Sequence, residues 1–264
     1  MKNYLVIGNP IEHSLSAKLH NFWIKKYNLN AIYNNKKLDE NEIQKIINEI
    51  RNEKIDGINV TLPFKKAVIP FLDELTKLSE KTQSVNTIYK KNNKIIGDNT
   101  DVNGFELALK HINYNVQKKS VFILGAGGVV PSIILSLKRL EASKIFLSNR
   151  TKQKALQLKK IYPDLVIVEW GNVSDSDMII NATSLGLKDD DHIELNYDKI
   201  GKNKFFYDVI YNPSRTNFLQ HGSKLGHKIE NGKLMFIYQA QLSFEIWHNI
   251  LPEVNEETIK LLNA

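Results

Sequence analysis

A lysine, Lys65 or Lys66, and an aspartate, Asp98 or Asp101, are residues of this chain whose types could move a proton, and chemistry alone leaves Lys65 and Lys66 undistinguished. Lys65 follows Asn59, Thr61 and Pro63 in DGINVTLPFKK, and Asp101 closes GDNTD, where Asp98 and Asp101 bracket Asn99 and Thr100. A buried carboxylate beside a buried ammonium can exchange a proton with a substrate hydroxyl. Each residue also has a plainer reading: most lysines of a lysine-rich chain are solvated, and an aspartate just before a helix caps it. Ser14 and Ser16, in HSLS, place two hydroxyls where a strand gives way to a helix, as a donor pair for a carboxylate or as a cap. A third set is backbone, the glycines Gly125, Gly127 and Gly128 of ILGAGGVV. Glycines let the chain approach a pyrophosphate closely, and the N-terminus of the next helix offers free N–H groups and partial positive charge.

Apolar patterning gives the elements that must position these groups. Residues 121–124 are a short apolar run, Ile133, Ile134, Leu137 and Leu140 have helical spacing, and 145–147 are apolar again. That is strand, glycine turn, helix and strand, the context a dinucleotide-binding reading requires. Strands are predicted at 4–7, 31–34, 57–61, 84–89, 94–97, 165–168, 178–180 and 205–209, with a polar turn, KNNK, between the fourth and fifth. Helical periodicity covers the stretch after HSLS, 42–50, the stretch after GDNTD, 234–247 and 256–262, and Phe64 opens a helical turn. Strands alternating with helices imply an α/β fold with a parallel, doubly wound sheet. Asn59, Thr61 and Lys65 then sit at the carboxyl end of a strand, where open α/β sheets place their ligands.

The 264 residues suffice for one large domain or two modest ones. No apolar run approaches the roughly 18 residues needed to cross a bilayer, and MKNYLVIGNP turns polar too soon for a signal peptide, so a cytoplasmic protein with no membrane partner is expected. With no cysteine, disulfides, thiol catalysis and thiolate metal sites are excluded, and no metal is expected. The net charge of +7 is spread along the chain, and only Arg51, Arg139, Arg150 and Arg215 are arginine. Nucleic-acid partners favour concentrated charge and arginine forks, so none is expected.

HSLS (13–16), NVTLPFK (59–65), VNT (85–87), GDNTD (97–101), GAGG (125–128), NRT (149–151), NATSLG (181–186), YDVIYNP (207–213), NG (231–232) and YQA (238–240) occur together and in order. With them the chain resembles the shikimate dehydrogenase family over essentially its whole length; NVTLPFK with GDNTD is the specific part. The resemblance implies reversible NADPH-dependent reduction of 3-dehydroshikimate to shikimate, on the way to chorismate and the aromatic amino acids. It implies an α/β fold in two domains with the active site in the cleft between them. One is an N-terminal substrate-binding domain, 1–101, completed by 238–264; the other is a Rossmann-type NADP-binding domain, 102–237. Ser14, Ser16 and Tyr211 would bind the substrate carboxylate, Asn59, Thr61, Asn86 and Gln239 the ring hydroxyls, and Lys65 with Asp101 would transfer the proton. The cofactor would lie against Gly125, Ala126, Gly127, Gly128, Val129, Asn149, Arg150, Thr151, Lys152, Lys154, Thr183, Val209 and Gly232. A monomer or homodimer is expected.

NADP rather than NAD also follows from the residues. NAD enzymes carry an acid about 20 residues past the glycines, on the ribose hydroxyl; here Ser148, Asn149, Arg150 and Thr151 end the second strand, and Arg150 can pair with a 2′-phosphate. Two positions depart from the family pattern. Ala17 stands where proline is common, and Val130, followed by Pro131, replaces the fingerprint's third small residue. Proline is tolerated in a first helical turn. Two alternatives remain open at this level: a quinate/shikimate dehydrogenase using NAD or accepting quinate, and a binding or regulatory module that keeps the fold but has lost catalysis, against which the intact Lys65 and Asp101 argue.

Overall fold

The computed structural model describes residues 1–188 and 191–262. Two compact units share the chain, Met1–Phe105 with Ile237–Ala264, and Glu106–Phe236. In the first unit β1 (Lys2–Gly8), β2 (Ala31–Lys37) and β3 (Gly57–Val60) run parallel. β5 (Thr87–Lys91) pairs antiparallel with β3 and with β6 (Lys94–Asp98), and β4 (Glu74–Leu75) closes the sheet in the order β2-β1-β3-β5-β6-β4. This arrangement brings the carboxyl ends of β1, β3 and β6 and the start of β5 to one edge.

Local chemistry explains the pieces. The run Tyr4–Ile7 is buried throughout, as suits a parallel strand covered on both faces. KNNK is a two-residue hairpin whose Asn92 and Asn93 have φ of 50° and 63°, and asparagine tolerates both. Helix α1 spans Ser16–Lys26 and α2 spans Ile43–Arg51. Ile43, Ile46, Ile47 and Ile50 recur at helical spacing and are fully buried, each contributing roughly 1.5–3 kcal/mol over exposure. A turn of 3-10 helix at Glu40–Glu42 precedes α2, with a capping box between Asp39 and Glu42, so the helix predicted from residue 42 starts with Ile43. A short helix, α3 (Lys77–Thr82), is capped by the Thr76 side chain.

Residues 84–86 differ from expectation and are not strand: Val85 N donates to Lys65 O at 2.8 Å in the turn after β3, and Asn86 N to Asp98 O at 3.0 Å at the end of β6, so the ladder starts only at Thr87. At residues 62–68 the predicted helical turn at Phe64 is a single α-turn, closed by Val68 N on Phe64 O at 3.1 Å, leading to a 3-10 turn at Ile69–Phe71.

In the second unit all strands are parallel: β7 (Ser120–Leu124), β8 (Lys144–Ser148), β9 (Val166–Ile167), β10 (Met178–Asn181), β11 (Phe205–Asp208) and β12 (Lys228–Glu230). The order β12-β11-β10-β7-β8-β9 reverses direction between β7 and β10, which is the Rossmann switch point. Helices α5 (Val130–Arg139), α6 (Lys152–Ile161) and α7 (Asn217–Lys224) accompany these strands. The unit boundaries fall inside α4 (Asp101–His111) and α8 (Lys233–His248), and α9 (Glu256–Leu261) ends the described chain. Among the described residues no helix is long and apolar enough to cross a membrane.

Candidate active site

Lys65 leaves the turn after β3, and Asp101 is the first residue of α4. The Lys65 ammonium donates to Asp101 Oδ2 at 2.6 Å, with the side chains 14% and 5% exposed. Water is largely excluded, so the pair is poorly screened. Asp101 does not cap its helix: that task falls to Asn99, whose Oδ1 accepts from Val102 N at 3.3 Å. The carboxylate is thereby left for Lys65 and for Asn86, whose Nδ2 donates to Asp101 Oδ1 at 3.0 Å.

Asn86 is the hub of this edge. Its Nδ2 also lies 2.8 Å from Thr100 Oγ1 and 3.2 Å from Gln239 Oε1, and its Oδ1 accepts from Thr100 N at 2.8 Å. Gln239 reaches Asn86 because α8 crosses α4 at Gly104, where an added Cβ would lie 2.9 Å from Gln239 Cβ. Ser14, Ser16 and Thr61 follow β1 and β3. Ser14 Oγ donates to Ser16 Oγ at 3.1 Å and accepts from Ser16 N at 3.3 Å. Neither serine caps α1, whose N-cap is Leu15 with no side-chain bond. Thr61 N is held by Ile7 O at 2.9 Å. Asn59 is 6% exposed and its amide is committed to protein partners. Tyr211, predicted to join these residues on the substrate, belongs to the second unit, where its ring stacks on Phe236 at 4.3 Å.

In the second unit the glycine turn follows β7 at the switch point. Gly125 has φ of 110°, donates to Ser148 O at 2.8 Å, and has no room for a Cβ, which would lie 2.7 Å from Ala182 O. At Gly127 an added Cβ would meet nothing within 4 Å, so this backbone is open to a ligand. Ala126, Gly128 and Val129 complete the turn, and Val129 is the N-cap of α5, whose first turn holds no acid. Val130 and Pro131 are buried in that first turn.

Asn149, Arg150, Thr151, Lys152 and Lys154 surround the start of α6. Asn149 Nδ2 donates to Thr151 O at 2.8 Å, Arg150 and Lys154 are exposed, and Lys152 lies 3.9 Å from Glu169. Thr183 Oγ1 donates to Asn181 Oδ1 at 2.7 Å. Gly232 is glycine of necessity, since a Cβ would collide with the Val209 carbonyl oxygen. An open backbone cradle, a helix N-terminus and two exposed cations with no acid in α6's first turn fit a phosphorylated dinucleotide.

Some organising residues carry no signal in their motifs. Asp208 is fully buried and accepts from Asn181 Nδ2 at 3.0 Å, Ile210 N at 3.0 Å and Thr216 Oγ1 at 2.6 Å, tying the loops after β10 and β11 together. Burial pushes its carboxyl up to about 6 against those bonds. In the first unit Ser243, one turn after Gln239 on an apolar helix, faces the Asn59 amide at 3.0 Å and Thr87 Oγ1 at 2.8 Å, and donates to Gln239 O at 3.0 Å; its i+4 spacing from Gln239 was the available clue. Among the described residues no group of His, Asp and Glu could hold a metal ion.

Unit by unit, the architecture is that of the two-domain Rossmann-type α/β proteins. Residues 6–88 match the family model described as the shikimate dehydrogenase substrate binding domain. An NADP(+) shikimate dehydrogenase of Pelagibacter ubique is 61% identical over 263 residues, covering 100% of this chain and 99% of the relative. Among solved structures, the shikimate dehydrogenase of Aquifex aeolicus aligns with a TM-score of 0.90 at 36% identity, covering 100% of this chain and 98% of the other. That of Thermus thermophilus, solved with NADP(H) and shikimate, aligns with a TM-score of 0.91 at 28% identity, covering 100% and 99%. The chain belongs to the shikimate dehydrogenase family.

Proposed function

We propose that this chain reduces 3-dehydroshikimate to shikimate reversibly with NADPH, in the cytoplasm, as a step towards chorismate and the aromatic amino acids. The Lys65–Asp101 pair carries the reading: an ammonium whose nitrogen lies 2.6 Å from a buried carboxylate oxygen is what a carbonyl-to-alcohol conversion needs beside its hydride donor. NADPH, when bound, supplies that hydride. Lys65 gives its proton to the carbonyl oxygen as negative charge develops there, and its ammonium stabilises that charge. Asp101 aims the ammonium. In the oxidative direction Lys65 must be neutral to take the hydroxyl proton.

Ser14, Ser16 and Tyr211 hold the substrate carboxylate with hydroxyl donors, and Thr61, Asn86 and Gln239 hold the ring hydroxyls. In the second unit Gly125, Ala126, Gly127, Gly128 and Val129, with the α5 N-terminus, receive the pyrophosphate. Arg150, with Asn149, Thr151, Lys152 and Lys154, receives the 2′-phosphate, and Thr183, Val209 and Gly232 form the nicotinamide end. The decisive test follows NADPH absorbance with shikimate or quinate crossed against NADP+ or NAD+. Shikimate with NADP+ is expected to give the highest kcat/KM, and no turnover with that pair would overturn the reading.

A further inference from the structure

Behind the reacting pair lies a layer of buried polar side chains drawn from β2, β3, β5 and α8. Tyr33 donates its hydroxyl hydrogen to Asn59 Oδ1 at 2.7 Å. The two amide hydrogens of Asn59 face Asn86 O at 3.0 Å and Ser243 Oγ at 3.0 Å, with Thr87 Oγ1 at 3.2 Å. Ser243 Oγ and Thr87 Oγ1 are 2.8 Å apart, and Thr87 donates to Asn86 Oδ1 at 3.1 Å. Asn86 Nδ2 donates to Asp101 Oδ1 at 3.0 Å, and Lys65 takes the other carboxylate oxygen.

The one hydrogen of Ser243 can go to Thr87 Oγ1 at 2.8 Å or to Gln239 O of its own helix at 3.0 Å; when it turns to Thr87, every bond in this series points the same way. It runs from Tyr33 through Asn59, Ser243, Thr87 and Asn86 to Asp101. Aligned bonds in a low-dielectric interior polarise one another, and a series ending on a carboxylate gains most from that alignment. Two members are amides, which do not relay protons readily, so the series conveys orientation and charge stabilisation. Its far end is fixed. The Tyr33 ring stacks on His20 at 4.2 Å and 6°, and its backbone exchanges hydrogen bonds of 2.8 and 3.0 Å with the Asn21 side chain. Asn59 is thus engaged on every side by protein, Tyr33 on its oxygen and Asn86, Thr87 and Ser243 on its amide.

We infer that Tyr33, Asn59 and Ser243 are positioning residues for the Lys65–Asp101 pair, acting through Thr87 and Asn86 without touching substrate. The alternative is a set of buried polar groups that satisfy one another and nothing more. That alternative predicts effects on stability that are blind to Asp101. The inference rests on the reaction proposed above, and its test is arranged to separate the two.

Tyr33→Phe and Ser243→Ala are made in the wild type, and Tyr33→Phe also in an Asp101→Asn background. In the wild type each is expected to lower kcat about fivefold while the shikimate KM changes less than about twofold. In the Asp101→Asn background, Tyr33→Phe should lower the residual rate by less than about twofold, because the acceptor it serves is gone. An equal loss in both backgrounds, or a raised KM with kcat unchanged, overturns the inference. Urea unfolding of the wild type, Tyr33→Phe, Asp101→Asn and the double variant completes the cycle. Non-additive unfolding free energies support the series and additive ones overturn it. That arm decides even if the wild type fails to oxidise shikimate, an outcome that would overturn the proposed reaction instead.

Discussion

The site in the first unit and the site in the second are built on opposite plans. Around Lys65 and Asp101 nearly every polar group is buried and already bonded, and the reacting carboxylate is held by two donors from different elements. Around Gly127 and Arg150 the backbone is open and the cations are exposed. The difference follows from what each must do. Proton transfer depends on donors fixed to fractions of an ångström and shielded from water. Anion capture needs positive potential and accessible N–H groups, which a glycine turn, a helix N-terminus and flexible cations provide.

The comparison breaks most readily at Lys65. Lys65→Ala is expected to lower kcat by about three orders of magnitude and to leave NADP+ affinity unchanged by calorimetry; a parallel loss of affinity would mean the two plans are not independent. Gly232→Ala should cost the second unit roughly 1–3 kcal/mol through the collision with the Val209 carbonyl. Hydrogen exchange should show that loss in β10 and β11 while the β1–β3 ladder keeps its protection.

Arg150→Ala should raise the NADPH KM about tenfold and leave the NADH KM nearly unchanged. Equal changes for both cofactors would remove Arg150 from the 2′-phosphate.

Acid should separate the units more gently. Burial pushes His20 down to about 3, with His248 adding to it, and burial with Lys2 pushes His248 down to about 4. Both bind fewer protons folded than unfolded, so their contribution is complete above about pH 6.5 and is lost as pH falls towards those values. In the second unit Asp208, Glu106 and Glu230 are raised by burial and act with the opposite sign, against His227, which burial lowers. Moving from about pH 7.5 to about 5.5 should therefore cost the first unit roughly 1–3 kcal/mol and the second less. Hydrogen exchange of the two sheets at both pH values reads the difference.

How much of this was legible in the sequence depended on range. The parallel sheet of the second unit and the parallel strands β1 to β3 of the first follow from short apolar runs alternating with helical periodicity, and the glycine turn announced its strand and helix. Lys65 and Asp101 stood out because each sits in a distinctive motif. Between two explanations for Asp101, capping or chemistry, the sequence offered no arbiter. Asn99 takes the cap, and that is visible only once Val102 N is seen to point at it. Residues 84–86 read as strand because Val85 is apolar, whereas Val85 N bonds to Lys65 in a turn and only Asn86 N reaches a strand, at the Asp98 end of β6. For Asn59 the motif gives its address and not the protein partners that engage its amide. Tyr33 and Ser243 were invisible as site residues, since one looks like an ordinary strand aromatic and the other like a small residue on an apolar helix.

The bond from Asn59 to Ser243 joins residues 184 positions apart, and that from Asn86 to Gln239 spans 153. During synthesis the whole Glu106–Phe236 unit leaves the ribosome before either bond can form. At roughly 5–20 residues per second, β1, β3 and β5 wait many seconds for the helix that satisfies their buried amides. The buried amides of the reacting centre are therefore satisfied only once α8 has emerged, and a chain truncated before α8 would carry Lys65 and Asp101 without that support.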